Sequence, residues 1–390
     1  MFLRLFLFTI ASEGLYLLLA EKHQETIPFF LLWSGLFAAY ALAIRAVHTK
    51  SGRALLFVIL ITSALFRGSL LVRVKGGPAE APEAFLHAAS PAGNVLALRP
   101  DLQKPVATAF DLAALALVPP LLRALSLPTG LALVYGWNPL LIKEAAASGR
   151  FEAIPLFFLL LAFLLLRTKR PEVAAIAYGA SLAGPPFFWA TLPLAARALG
   201  WHLILSLFVG AAAWAPLAVA KPPAELLGWP PEHHVGGSLL PAIEALAKLF
   251  VTRDPLAPSL FCAGLFVLLA LARTWKVGRD GATLPREAIL LLGCLLFLSP
   301  EVLPWAFVPI AGLAAFSENP GWIVATATAP LAYLTLGEKG WSFWLAFAQH
   351  FPVYASLIFV GLGGKQGKAQ ATRLPQRNRS RPRPTSRRGG

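Results

Sequence analysis

The chain has 390 residues, of which 57% are hydrophobic and only 14% are charged, and its formal net charge at pH 7 is +15. A water-soluble domain cannot bury this much apolar surface, so the composition excludes a soluble enzyme and predicts an all-α, polytopic integral membrane protein. Nine basic residues and no acidic residue lie after residue 363, so more than half of the net charge belongs to the last part of the chain.

Apolar runs between Leu3 and Leu362 predict a membrane domain over residues 1–363 with about 11–14 membrane segments. Several runs are shorter than the ~20 residues that a helical crossing needs, so we expect some half-helices or re-entrant pieces. The first run is followed directly by others, and we interpret it as a membrane helix and not as a cleaved signal. Residues 364–390 are rich in Pro, Arg, Gln and Gly, cannot build a core, and are predicted to be a disordered basic tail.

Basic clusters follow the second, sixth and tenth apolar runs: Arg45, Lys50 and Arg53, then Arg167, Lys169 and Arg170, then Arg273, Lys276 and Arg279. If these clusters and the tail face the cytoplasm, both termini are cytoplasmic. The tail is interpreted as a cytoplasmic basic anchor that obeys the positive-inside rule. Contact of the tail with anionic membrane lipid or with RNA is the alternative, and of these partners membrane lipid is expected and nucleic acid is not.

The same topology places four polar segments on the opposite, outer face: Arg73–Pro105, Lys143–Glu152, Ala220–Pro258 and Ser299–Pro304. The first segment contains Glu80 and Glu83, whose spacing places them on one face if the segment is helical. His233 and His234 in the third segment have no further ligand at zinc spacing, so no metal ligands are assigned. The concentration of polar residues on one side predicts that the protein acts there.

The stretch Tyr135–Glu152 is a polar interruption between two apolar runs. Asn138 is predicted to cap a short helix, Pro139 to be its first residue, and Gly149 to end it. Ionisable groups beside the hydrocarbon are costly, so we expect the charges of this stretch to face protein or water in a site. The alternative is a solvated loop between two spans. The charged residues are Lys143, Glu144, Arg150 and Glu152.

Three sequence elements resemble a known family. Tyr135-Gly-Trp-Asn-Pro-Leu, followed by Glu144 and Ser148-Gly-Arg-Phe-Glu152, resembles the Trp-Asn-Pro-Leu…Glu…Ser-Gly-His-x-Asp signature of bacterial GT-C superfamily glycosyltransferases. These are multi-pass enzymes similar to polyprenol-phosphate-mannose-dependent mannosyltransferases. Leu65-Phe66-Arg67 and the stretch from Ser299-Pro300 to Pro304-Trp305 resemble two further family elements in the same order. The resemblance covers the chain from Leu15 to Leu334.

This resemblance implies a GT-C fold in the bacterial inner membrane. It also implies transfer of a sugar, such as the hexose mannose, from a polyprenyl-phosphate donor to an acceptor hydroxyl of a glycan or lipid on the outer face. Such a reaction needs cations for the departing phosphate, a carboxylate for the acceptor's proton, and a groove for the polyprenyl chain. Arg67 and Arg150 are the expected phosphate ligands. The motifs imply further substrate-binding roles for Trp137, Asn138, Glu144, Glu152 and Trp305.

The sequence also departs from the family pattern. Arg150 and Leu303 stand where the family has His, Glu152 stands where it has Asp, and the acidic pair of the first outer loop is missing. Glu83 or Glu80 is then the candidate catalytic base, because a carboxylate within hydrogen-bond reach can accept the proton. No cofactor is assigned, and a divalent metal is left open.

Two functions therefore stay open. The first is an active hexosyltransferase with a relocated base. The second is a catalytically inactive relative that binds lipid-linked glycan or acts as a scaffold. A transporter would show two related halves with matching interruptions, and the sequence shows none.

Overall fold

A computed structural model describes residues 1–22, 26–73, 90–91, 99–220, 239–250, 256–299, 302–317, 319–336 and 343–371. Every regular element within these ranges is helical, which confirms the predicted all-α class. Six of the described helical stretches are long and apolar enough to cross a membrane: Phe2–Leu19, Thr26–Val47, Arg53–Arg73, Asp101–Ala124, Pro186–Pro216 and Ala257–Thr274. These stretches indicate a multi-pass membrane protein, and the larger count of 11–14 segments stays a prediction.

The first helices are α1 (Phe2–Lys22), α2 (Thr26–Val47), α3 (Arg53–Arg73), α4 (Pro100–Ala124), α5 (Ala132–Gly136), α6 (Pro139–Ile142), α7 (Ala153–Arg167), α8 (Pro171–Ser181) and α9 (Leu192–Leu199). They are followed by α10 (Leu203–Ala220), α11 (Leu239–Phe250), α12 (Leu256–Thr274), α13 (Leu284–Leu298), α14 (Val308–Leu313), α15 (Gly321–Thr328), α16 (Ala332–Leu336) and α17 (Phe343–Ala371). The last helix thus extends past the boundary predicted at residue 363. Residues 372–390 of the tail lie outside the described part of the chain.

Close helix packing builds the core. α4 packs along α7, α7 along α8, and α8 along α10, while α1 pairs with α2. A Cβ atom at Gly179 of α8 would lie only 2.6 Å from the carbonyl oxygen of Ser206 in α10. Small residues allow such close backbone approach between membrane helices, where packing replaces the hydrophobic driving force.

The chain between α4 and α7 consists of short pieces, as the short apolar runs predict. A 3-10 turn (Thr129–Leu131), α5 and α6 follow one another, and all residues of α5 and α6 are buried. Interrupted backbone is tolerated at membrane depth only where protein covers it or where it lines a cavity. The surrounding long helices therefore make this broken segment possible.

Three of the basic clusters lie at one end of the helical bundle. Arg167 donates hydrogen bonds to Asp280 Oδ2 and to the carbonyl oxygen of Ala124, each at 2.8 Å. The Gly130 amide donates to the carbonyl oxygen of Lys50 at 2.9 Å. These contacts join the loops that follow α2, α4, α7 and α12.

The polar stretch before α7 lies at the other end of that helix. α7 has 15 residues and is therefore about 22 Å long. Its far end is marked by Arg150, whose guanidinium contacts Trp305, and by Gly149, which lies against Lys104. The structure thus separates a basic end from an end where Gly149 lies against Lys104 and Arg150 contacts Trp305.

We predict that this separation is visible as membrane sidedness. In a Cys262→Ala/Cys294→Ala background, cysteines replacing the exposed residues Lys169 and Arg279 should react with an impermeant maleimide from the same side of the membrane. A cysteine replacing the exposed Asp101 should react from the opposite side. Labelling of right-side-out and inverted vesicles measures this, and reaction of all three cysteines from one side would contradict the arrangement.

Candidate functional site

The stretch Asn138–Glu152 has the local boundaries that its sequence predicts. The Asn138 side-chain oxygen accepts a hydrogen bond from the Leu140 amide at 3.0 Å, and Pro139 is the first residue of α6. Gly149 has a φ of +68°, in the left-handed region that favours glycine. A Cβ atom there would also lie 3.1 Å from the Lys104 amide nitrogen. The predicted cap and the predicted stop are both confirmed.

A π-helical turn (Lys143–Ala147) connects α6 to Gly149. In this turn the Ser148 amide donates to the carbonyl oxygen of Lys143 at 2.9 Å, five residues back. The Arg150 amide reaches the carbonyl oxygen of Glu144 at 2.8 Å. Such turns are rare and occur frequently at functional sites. The sequence did not predict it.

Glu144 is fully buried, and only one of its two carboxylate oxygens has hydrogen-bond partners among the described residues. Its Oε1 accepts hydrogen bonds from Lys143 Nζ at 2.9 Å and from Tyr333 Oη at 2.6 Å. Lys143 Nζ also donates to the Tyr333 hydroxyl, so the three groups form one network. Glu144 Oε2 has no hydrogen-bond partner among the described residues.

Arg150 is 5% exposed, and its guanidinium lies over the Trp305 ring, with Cζ 3.9 Å from the ring centroid. The nearest described carboxylate oxygen is Glu144 Oε2, 3.9 Å from Arg150 Nε, which is too long for a hydrogen bond. Among the described residues, no side chain or carbonyl accepts a hydrogen bond from Arg150 Nε. A ring face attracts the charge but does not accept a conventional hydrogen bond from Nε. An anion with acceptor oxygens could therefore bind Arg150 through a charge-assisted hydrogen bond.

Glu152 is also buried, and its Oε2 has no hydrogen-bond partner in the described part of the chain. Burial raises the pKa of Glu152 to about 7, against the opposing attraction of Arg150. The carboxyl group is therefore divided between its two protonation states near neutral pH. A group in this range can accept or release a proton during a reaction.

With Glu144, Arg150 and Glu152 all buried, the solvated-loop interpretation of this stretch is wrong.

Arg67 forms a second buried cluster with Asp111. Its Nε donates to Asp111 Oδ2, and its Nη1 donates to the carbonyl oxygens of Gly136 at 2.8 Å and Ser63 at 3.1 Å. The Tyr135 hydroxyl donates to Asp111 Oδ1 at 2.7 Å. Arg67 thus holds the last residue of α5, immediately before Trp137, and already has a counter-ion. Its predicted role as a phosphate ligand stays a prediction.

Trp137 and Asn138 connect the site to the surrounding helices. Trp137 is buried, and its Nε1 donates to Thr62 Oγ1 at 2.8 Å. Asn138 Nδ2 donates to Tyr40 Oη at 3.3 Å and to Thr326 Oγ1 at 3.2 Å. These contacts satisfy both side chains within the protein. They position the start of α6 and hence the charged turn that follows it.

Sequence reasoning missed two residues of these clusters. Asp111 is an isolated acid inside the apolar run from Val106 to Leu125, and an ionisable residue at membrane depth is itself a signal of a functional or paired site. No feature of the sequence around Tyr333 indicated a role for it in the site, because only tertiary packing brings its hydroxyl to Glu144.

Glu80 and Glu83, the predicted catalytic bases, lie outside the described residues, so their role stays a prediction. In the ranges that the structure does describe, no three His, Cys, Asp or Glu side chains come together in a group that could hold a metal ion. A divalent metal therefore has no described ligand set here.

We predict that the Arg67–Asp111 pair is required for folding. Asp111→Asn leaves a buried guanidinium without its counter-charge, a change that typically costs about 3–5 kcal/mol. The thermal denaturation midpoint in detergent should therefore fall strongly. The matched control is Asp101→Asn, because the Arg99–Asp101 pair is exposed and should leave the midpoint unchanged. Equal midpoints for the two variants would contradict this role.

Comparison of the chain with protein-family models, curated proteins and solved structures gives no match. The likeness to GT-C glycosyltransferases therefore rests on the sequence motifs alone.

Proposed function

We propose that the chain is a membrane glycosyltransferase of the GT-C kind, which transfers a hexose such as mannose from a polyprenyl-phosphate donor to an acceptor hydroxyl of a glycan or lipid. The observation that carries this proposal is Arg150, a buried guanidinium stacked on Trp305 without a hydrogen-bond acceptor for its Nε among the described residues. A lipid-linked phosphate supplies an oxygen acceptor for Arg150 Nε and adds negative charge beside this cation.

The local charge balance favours an anion. Lys143 and Glu144 hydrogen-bond each other, so their charges offset one another. Glu152 carries only part of a negative charge near neutral pH, because burial raises its pKa to about 7. Glu144 Oε2 is also 3.9 Å from Arg150 Nε, so one carboxylate faces both Lys143 and Arg150. These two basic side chains are the groups that could stabilise a departing phosphate electrostatically.

In the proposed reaction, the acceptor hydroxyl, the donor phosphate, Arg150 and a carboxylate each have a defined role. The acceptor oxygen forms a bond to the anomeric carbon, and the bond from that carbon to the phosphate oxygen breaks with its electron pair on the phosphate. Arg150 stabilises the phosphate charge as it develops. A carboxylate takes the hydroxyl proton, a contribution typically worth ~10²–10⁴-fold in rate. Glu80 and Glu83 are the bases proposed from the sequence, and Glu152 is the described carboxyl group whose pKa suits the same task.

The proposed location is the bacterial inner membrane, with both termini in the cytoplasm and the reaction on the outer face. The gathering of basic clusters at one end of the bundle supports this orientation, because positively charged loops are retained in the cytoplasm. Lys143–Glu152 then lies toward the outer face. The cysteine labelling described above tests the orientation when the cytoplasmic side of the vesicles is known.

A non-catalytic relative that binds lipid-linked glycan, or serves as a scaffold, is the second candidate. Leu303 favours it, because this buried aliphatic residue beside Pro304 cannot titrate or coordinate at a position where the family has histidine. Both candidates use Arg150 to bind phosphate. They differ in whether the sugar leaves the donor.

The test is sugar transfer in proteoliposomes from radiolabelled polyprenyl-phosphate sugars to a membrane extract. We expect Arg150→Gln to lower transfer by about 10²–10³-fold, the loss typical for one preorganised donor at a developing oxyanion. Arg123→Gln is the matched control, because Arg123 is an exposed cation at the basic end of the bundle. Wild-type protein that neither transfers sugar nor binds any donor would contradict the proposal.

The same assay separates the alternatives. Donor binding that depends on Arg150, without transfer by the wild type, would establish the non-catalytic relative. Where transfer occurs, comparison of Glu80→Gln/Glu83→Gln with Glu152→Gln identifies the base by the variant that abolishes it. Full transfer by Arg150→Gln would remove this arginine from the mechanism.

A further inference from the structure

A group of polar atoms between α1 and α3 takes no part in the proposed reaction. Glu13 and Tyr16 are three residues apart in α1, which places their side chains on one face of the helix. Tyr16 is 1% exposed, and its ring packs on Phe66 of α3 with centroids 5.2 Å apart. The neighbouring residue in α3 is Arg67, which is fully buried.

Three atoms of this group are buried without a hydrogen-bond partner in the described part of the chain: Glu13 Oε2, Tyr16 Oη and Arg67 Nη2. Glu13 lies about one helical turn before Tyr16, and Arg67 follows Phe66, on which the Tyr16 ring packs, so the three groups share one neighbourhood. The other nitrogens of Arg67 are occupied, Nε by Asp111 and Nη1 by backbone carbonyl oxygens. A buried polar atom without a hydrogen-bond partner is costly. Three in one place therefore indicate a bound polar species.

We propose that Glu13, Tyr16 and Arg67 enclose a site for ordered water inside the membrane domain. The three atoms offer one acceptor, one group that donates and accepts, and one donor, and a buried water is typically held by two to four such partners. Glu13 would repel a phosphate, and Arg67 would repel a metal cation. An apolar chain would leave all three atoms unsatisfied. Water both donates and accepts hydrogen bonds, so it can bind to all three atoms.

Water at this place has a structural consequence that does not rest on the proposed function. It solvates the remaining donor of Arg67, which lowers the cost of burying the Arg67–Asp111 pair. Arg67 Nη1 donates to the Gly136 carbonyl oxygen at 2.8 Å, two residues before Asn138. The proposed water site is thus connected through Arg67 to the backbone just before the residue that caps α6.

Hydroxyl-radical footprinting by X-ray radiolysis, read by mass spectrometry on the full-length protein in nanodiscs, tests the proposal because radicals form from ordered internal water. Tyr178 is the matched control: it is 2% exposed, but its hydroxyl is hydrogen-bonded to Thr191 Oγ1 at 2.9 Å. We expect Tyr16 to be modified several-fold faster than Tyr178. Equal, slow modification of the two tyrosines would overturn the water site.

Variants at Glu13 test the assigned partners. Glu13→Gln keeps a hydrogen-bonding oxygen and should leave Tyr16 modification unchanged, whereas Glu13→Leu should reduce it toward the Tyr178 rate. Modification of Tyr16 that is the same in wild type and in a folded Glu13→Leu variant would remove Glu13 from the site. Unchanged Tyr178 modification shows that a variant is folded. If Glu13→Leu does not fold, the wild-type ratio of Tyr16 to Tyr178 still decides whether water is present.

Discussion

The structure depends on the requirement that charge buried at membrane depth must be matched by charge or by hydrogen bonds. The turn from Lys143 to Glu152 buries three charged side chains, and tertiary contacts satisfy only some of them. Tyr333 and Lys143 satisfy one oxygen of Glu144, while burial keeps Glu152 partly protonated. Arg150 remains with an aromatic face and without an acceptor for its Nε in the described chain. The incomplete hydrogen bonding of Arg150 is the basis of the proposed phosphate site.

The short segment from Gly136 to Asn138 connects the Arg67–Asp111 pair to the charged residues around Arg150. The Arg67–Asp111 pair holds the carbonyl oxygen of Gly136, and the next residues, Trp137 and Asn138, are fixed by Thr62, Tyr40 and Thr326. Asn138 then caps the helix that leads into the π-helical turn. The pairing of Arg67 inside the bundle thus fixes the position of the turn that presents Arg150. The broken segment is thus held at its start by side chains of α2, α3 and α15.

Local chemistry explains which features could be predicted from sequence. The cap at Asn138 and the stop at Gly149 depend on residues within a few positions, and both were predicted correctly. The gathering of the basic loops follows from charge and was also anticipated. The Tyr333–Glu144 contact joins residues almost two hundred positions apart in sequence, which local patterns do not encode. Asp111 could have been found, because a lone acid in an apolar run has to be paired.

The central claim is that Arg150 binds the phosphate of a lipid-linked sugar, and photo-crosslinking tests it most directly. A polyprenyl phosphate with a photoreactive group next to the phosphate would be activated in nanodiscs and its adducts mapped by mass spectrometry. The account predicts adducts within Lys143–Glu152 and at Trp305, lost in Arg150→Gln and suppressed by unlabelled polyprenyl phosphate but not by polyprenol. Adducts confined to the lipid-facing surfaces of the long helices, unchanged by Arg150→Gln, would contradict it.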